Sequence, residues 1–404
     1  MSTSERTALI AKVSEVFSPS APINKRDLFA GRFHELGRVF DAVNTRGQHA
    51  AIFGERGVGK TSLANIVLEI AGANANAFSA KVNCSEGDDF TRAWRKVLDE
   101  INVAIDDDKA TVGFRIEPIK DVHQASILLS DAPSPNEIRR IARKLGRSIF
   151  IFDEFDRLDS GHGLFADTIK SLSDASEDCT IIIVGVAHDI DTLIKMHASV
   201  DRALVQILMP RMTQQELHEI VNKAMEALQM AMERSAQDLI VLLSQGLPHY
   251  THVLGKSATM KALEAQRWSI TLPDVHESIN AAIDDTHRKI QAAYQTATAS
   301  PRKDTLFKQV LLACALAEVD HMGYFASSDV RGPLSQIMGR RYEIPNFSQH
   351  LDKFCSDDRG KVLERIGTQR RFRFRFSNPL LQPFVIMRGI SDGMLTGDWS
   401  RLLR

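Results

Sequence analysis

Residues 54–61 read Gly-Glu-Arg-Gly-Val-Gly-Lys-Thr. They stand between a short apolar run at 48–53 and a stretch at 62–70 in which Leu63, Ile66, Val67 and Ile70 recur at helical spacing. A change from strand period to helix period across a glycine-rich turn predicts a strand–loop–helix unit. Glycines let successive backbone N–H groups curl toward one point, and the start of the following helix adds its positive dipole end, so the loop is suited to cradle an anion. The eight residues match GxxxxGK[ST] at every fixed position. The expected ligand is therefore ATP with Mg²⁺. Lys60 would reach the β and γ phosphates, Thr61 would ligate the metal, and Gly54, Glu55, Arg56, Gly57, Val58, Gly59 and Ser62 would complete the cradle.

A second segment fits the first. Ile149, Phe150, Ile151 and Phe152 are followed by Asp153 and Glu154, the pattern of a buried strand that delivers two carboxylates to the C-terminal edge of a sheet. Asp153 is the expected magnesium partner, and Glu154 the expected general base that polarises the attacking water. Asp156 reads as a surface charge. Further apolar runs at 78–82, 148–152 and 180–186 alternate with helical stretches such as 89–101 and 137–145. That alternation predicts an α/β fold with a parallel sheet covered by helices on both faces.

With 404 residues, two or three domains are expected, and 44% hydrophobic against 25% charged residues places the chain among folded globular proteins. The four cysteines are widely spaced without a CxxC pair, which points to neither a disulfide framework nor a zinc site. No apolar run approaches the ~20 residues that span a bilayer, and the first 17 residues suit a short amphipathic helix, so a cytoplasmic location without membrane contact is expected. From 213 the pattern becomes helical, opening on Thr213 and Glu216 as a capping box. The polar, small-residue stretch that ends at Pro301 reads as a linker. Beyond it, helices near 305–318, 327–338 and 348–354 precede strands at 362–366 and 371–376, an order that suggests a winged helix. The expected divisions are 1–212 for the nucleotide-binding core, 213–291 for a helical lid, 292–304 for the linker and 305–404 for the winged helix.

This order of motifs resembles AAA+ P-loop ATPases of the origin-initiator (ORC/CDC-like) clade and the related STAND-type switch NTPases. Asp27 to Arg32, with Glu35 and Leu36, is similar to the entrance segment of those families, which implies that Leu28 and Phe29 lie near the adenine. The resemblance also implies a polar sensor at the tip of the fourth strand, where His188 is the substitute for the usual Asn or Thr. It further implies an arginine finger offered to a neighbouring subunit of a homo-oligomer, at Arg202, with Arg211 as the rival position. Where many AAA+ proteins carry a sensor arginine in the lid, this chain has Gly246-Leu247-Pro248. That form is closer to the STAND element in which the proline, here Pro248, borders the base, and it favours a slow switch over fast turnover.

From Pro301 onward the chain holds 17 Lys or Arg against 11 Asp or Glu, although the whole carries a net charge of −1. Arg371, Arg373 and Arg375 alternate with Phe372, Phe374 and Phe376, which predicts a strand with one packed and one basic face. With Arg340, Arg341 and Arg370 they are the expected contacts to a DNA backbone, non-specific in sequence. Three readings follow: an ATP-dependent switch that associates with DNA, a STAND-like signalling or defence regulator whose winged helix binds a protein partner, or an ATP-binding scaffold with negligible turnover, which the two atypical sensor positions support.

Overall fold

The computed structural model describes residues 3–19, 22, 26–72, 77–104, 122–187, 190–194, 200–300, 305–320, 322–368 and 371–395. The chain divides into two compact units, one of Pro22–Glu55 and Gly59–Met209, the other of Met1–Ala21, Arg56–Val58 and Pro210–Arg404.

The first unit is built on five parallel strands: β1 (His49–Gly54), β2 (Phe78–Asn83), β3 (Ser148–Asp153), β4 (Cys179–Val186) and β5 (Leu204–Leu208), in the spatial order β2-β3-β4-β1-β5. β1 and β3 are buried along their whole length, as apolar strands covered on both faces must be. The fifth strand was not expected from the sequence. It lies at the sheet edge, and its centre alternates in burial, so its five residues carry a weaker signal than the continuous apolar runs. The pairing aligns Gly54 with Val186 and Asn83 with Asp153, so the loop after β1 and the carboxylates after β3 leave from one edge of the sheet.

One face of β3 is locked by aromatic rings. Trp94 lies 5.3 Å from Phe150 and 5.1 Å from Phe152, edge to face, and stacks on Phe165 at 6.0 Å. The helix Phe90–Asp99, which carries Trp94, starts where the Asp89 carboxylate accepts the Arg92 N–H. The helix Pro135–Leu145 is set in the same way by Ser134, with proline in its first turn.

The second unit holds the helices Gln214–Leu228, Arg234–Ser244, Pro248–Glu264 and Leu272–Asp284, the first of which opens on the expected capping box. Glu216 N–H donates to Thr213 Oγ1 at 3.2 Å, and Thr213 N–H donates to the Glu216 carboxylate at 2.8 Å. The helix Thr3–Val16 belongs to this unit and not to the sheet unit with which the sequence boundaries grouped it. Phe17, fully buried, fills the space that a side chain at position 255 would need, since a Cβ on Gly255 would lie 2.4 Å from its ring. The first half of the expected linker is helical, within Arg288–Thr298. Residues 305–395 then give the helix Phe307–Ala315, β6 (Phe325–Ala326), the helices Ser327–Met338 and Ser348–Phe354, β7 (Leu363–Ile366), β8 (Arg373–Phe376) and the helix Leu381–Ser391. The three strands form an antiparallel sheet in the order β6-β8-β7, adding a two-residue strand to the expected pair.

Candidate functional site

Lys60 is the first residue of the helix Lys60–Gly72 and is buried; its Nζ donates to the carbonyls of Gly54 at 3.0 Å and Glu55 at 2.7 Å. The ammonium is thereby held across the mouth of the loop that precedes it. Gly57 and Gly59 have φ of 89° and 99°, values that side-chain-bearing residues rarely adopt. A Cβ on Gly54 would lie 2.4 Å from the Met209 carbonyl oxygen, so this glycine is required by the close approach of the chain leaving β5. A Cβ on Gly59 would meet nothing within 4 Å, which leaves that side of the loop open as a phosphate cradle needs. Glu55 and Val58 are buried, Arg56 is exposed, and Thr61 and Ser62 are half-buried in the first helical turn.

Asp153 ends β3 almost completely buried, at 2% exposure. Its Oδ1 accepts the Glu154 N–H at 2.9 Å, and its Oδ2 faces the Lys81 ammonium at 3.0 Å. That pair is an ion pair without hydrogen-bond alignment, so Oδ2 keeps a lone-pair direction unused. A buried carboxylate oxygen in this condition fits the water shell of a hard divalent cation. Glu154 follows in a left-handed conformation, φ 53°, which turns its side chain out to solvent, where Arg157 pairs with it at 3.0 Å.

Lys81, Asn65 and Arg157 belong to no motif in the sequence. Lys81 interrupts the apolar run of β2, a half-buried edge strand, and that lone cation is the available signal. Asp156, expected as a plain surface charge, has a structural role: its Oδ1 accepts the Val186 N–H at 2.7 Å and so ties the turn after β3 to the tip of β4.

The remaining residues are more scattered. Leu28 ends a short 3-10 turn and is half-buried, and Phe29 is buried. Arg202 is exposed in the turn before β5. His188 lies outside the described residues. Pro248 is buried at the start of its helix in the other unit, two residues after Gly246, whose φ of 77° is left-handed. Arg211 is held inside that unit, donating to Gln382 Oε1 at 2.6 Å, so it is committed there as a structural contact.

The expected basic face is largely paired within the protein. Arg375 is buried instead of solvated: its Nε donates to Glu364 at 2.9 Å and its guanidinium lies over the Tyr324 ring at 4.7 Å. The strand alternation failed at this position because β8 is the central strand of its sheet, and its neighbour β7 places Glu364 directly opposite. Arg373 pairs with Asp320 at 2.9 Å and Arg341 with Glu343 at 2.7 Å. Arg340 is exposed and donates to the Tyr342 hydroxyl, Arg371 is exposed, and Arg370 lies outside the described residues.

Burial perturbs several other groups away from the loop. His49, at the start of β1, is held at about 3 by desolvation, and its Nδ1 accepts the Ile181 N–H at 2.9 Å. His252, on the helix Pro248–Glu264, is likewise pushed down to about 4 by burial. Both are packing residues.

Residues 43–194 match the family model described as an AAA domain. Among solved structures, the Walker-type ATPase paby2304 of Pyrococcus abyssi superposes with a TM-score of 0.52 at 15% identity, covering 92% of this chain and 99% of that one. The ORC2 protein of Aeropyrum pernix, solved in ADPNP–ADP complexes, gives 0.50 at 14% identity over 94% and 98%. No curated protein matches the sequence. Among the described residues, no helix is long and apolar enough to cross a membrane. The five-stranded parallel sheet, the loop that follows its first strand and the family match agree: residues 43–194 form an AAA domain with the P-loop NTPase fold.

Proposed function

We propose that this protein binds ATP with Mg²⁺ in the 54–61 loop, hydrolyses it slowly and uses the difference between nucleotide states as a molecular switch. The observation that carries the reading is the convergence, at one sheet edge, of the Lys60 loop after β1 and the Asp153–Glu154 pair after β3. In this reading the loop amides and Lys60 hold the phosphates, while Thr61 and Asp153 hold the metal, which supplies charge neutralisation for in-line displacement. Glu154 takes the proton of the attacking water. Slow turnover follows from two features. Arg157 engages the Glu154 carboxylate, and the lid carries Gly246-Leu247-Pro248 where faster AAA+ enzymes are expected to carry an arginine.

The test is a calorimetric titration with Mg-ATP together with a phosphate-release assay. Wild type should bind and turn over slowly, Glu154→Gln should bind without turnover, and Lys60→Ala should lose both. Equal turnover in wild type and Glu154→Gln removes the base assignment, and absence of binding by wild type removes the reading.

DNA association through residues 305–404, read as a winged helix, is the second part of the proposal. It is supported by that module's element order and by the exposed Arg340 and Arg371. The internal pairing of Arg341, Arg373 and Arg375 favours the rival STAND-like reading, in which the same module meets a protein. Arg202 would act as a finger only in an oligomer, so sizing the protein with a slowly hydrolysed ATP analogue decides whether it has that role.

A further inference from the structure

We infer that Lys81 is a built-in counter-charge for Asp153, a positioning residue that makes nucleotide binding less dependent on a divalent cation. This rests on the reading of the 54–61 loop and Asp153 as a Mg-nucleotide site. Lys81 lies in β2, opposite Ile151 of β3, and its ammonium donates to Asn65 Oδ1 at 2.7 Å while facing Asp153 Oδ2 at 3.0 Å. Its side chain is 12% exposed and that of Asp153 3% exposed, so both charges have left most of their water. A lysine in that position is costly unless paired, and removing one partner of such a pair leaves an uncompensated buried charge. Asn65 stands one turn beyond Thr61 on the helix Lys60–Gly72, so it shares a helix face with the residue assigned to the metal. Lys81 is thus held between the helix, through Asn65, and the end of β3, through Asp153.

A fixed positive charge there acts in opposite directions on the two ligands. It offsets the attraction of Asp153 for Mg²⁺, and it adds attraction for a triphosphate in a poorly screened place. Lys81→Met should therefore weaken metal-free ATP binding and, in the ATP-loaded protein, strengthen Mg²⁺ binding, each on the order of tenfold. A purely structural lysine would weaken both or neither.

The experiment titrates full-length protein with a fluorescent ATP analogue in EDTA, then titrates Mg²⁺ into the loaded protein, for wild type, Lys81→Met, Lys81→Arg and Asn65→Ala. Support is the pair of opposite shifts in Lys81→Met, with Lys81→Arg close to wild type and Asn65→Ala shifted the same way by less. Should Lys81→Met fail to fold, Asn65→Ala decides, because it loosens the tether and leaves both charges in place. Shifts of the same sign, or no shift, in a folded variant overturn the inference and leave the nucleotide site standing. No analogue binding by wild type, with or without Mg²⁺, overturns the site itself and the inference with it.

Discussion

Glu154 carries the proposed chemistry, yet its carboxylate is in an ion pair with Arg157 at 3.0 Å, both side chains being nearly half exposed. Such a pair is weak, and its effect on rate is correspondingly modest. Arg157→Ala is expected to raise steady-state phosphate release about two- to fivefold at saturating ATP with affinity unchanged. A fall in rate would show that Arg157 aims the base instead of holding it. A second residue-scale consequence concerns pH. His49 titrates near 6.5 when unfolded and at about 3 when folded, because burial disfavours its charged form. Between those values the unfolded chain binds one proton more, so stability is lost as pH falls below 6.5, at about 1.4 kcal/mol per pH unit. Urea midpoints from pH 6.5 to 4.5 should drop less steeply for His49→Gln than for wild type, and parallel slopes would remove His49 from the account. At this scale the loop residues and Asp153 were legible because their order along the chain is itself the chemistry. Lys81 and Arg157 were not, since an ion pair between separate strands, or a three-residue return across a turn, leaves no fixed pattern in sequence.

Among the elements, β3 has the most exacting placement, because it must deliver Asp153 buried and Glu154 exposed in consecutive residues. The Trp94–Phe150–Phe152–Phe165 cluster fixes the strand from one face. Trp94 is 1% exposed, and Trp94→Ala would open a cavity costing about 3–5 kcal/mol. Denaturant unfolding of the variant should show that loss, together with weakened Mg²⁺-dependent nucleotide binding as Asp153 loses its support; a loss under about 1 kcal/mol would mean that the helix Phe90–Asp99 closes over the gap. Four of the five parallel strands could be read as apolar runs between helical periods. β5 and β6 could not, because five half-alternating residues and two residues respectively give too little periodicity to separate from loop. The burial of Arg375 was hidden for another reason: alternation identifies two faces, but only the tertiary position of β8 between β6 and β7 decides how wet each face is.

For the molecule as a whole, the charge count of the last hundred residues invited a nucleic-acid reading, and the structure shows why counting overstates it. Arg341, Arg373, Arg375 and Arg365 meet Glu343, Asp320, Glu364 and Asp352, so these four arginines are engaged within the protein and the surplus is not gathered on the face the alternation predicts. A duplex bound through Arg340, Arg371 and one further cation would neutralise about three phosphates, and the salt dependence of binding would have a log–log slope near −3. Anisotropy titrations of a fluorescent duplex against NaCl should return that shallow slope. Arg371→Glu should flatten it by about one unit across unrelated sequences, as a backbone contact requires. Arg375→Glu should act differently, lowering the thermal midpoint by setting a buried carboxylate beside Glu364. A slope beyond about −6 would place the DNA on another surface of the protein, and absence of binding at low salt would leave the exposed residues of this module to a protein partner.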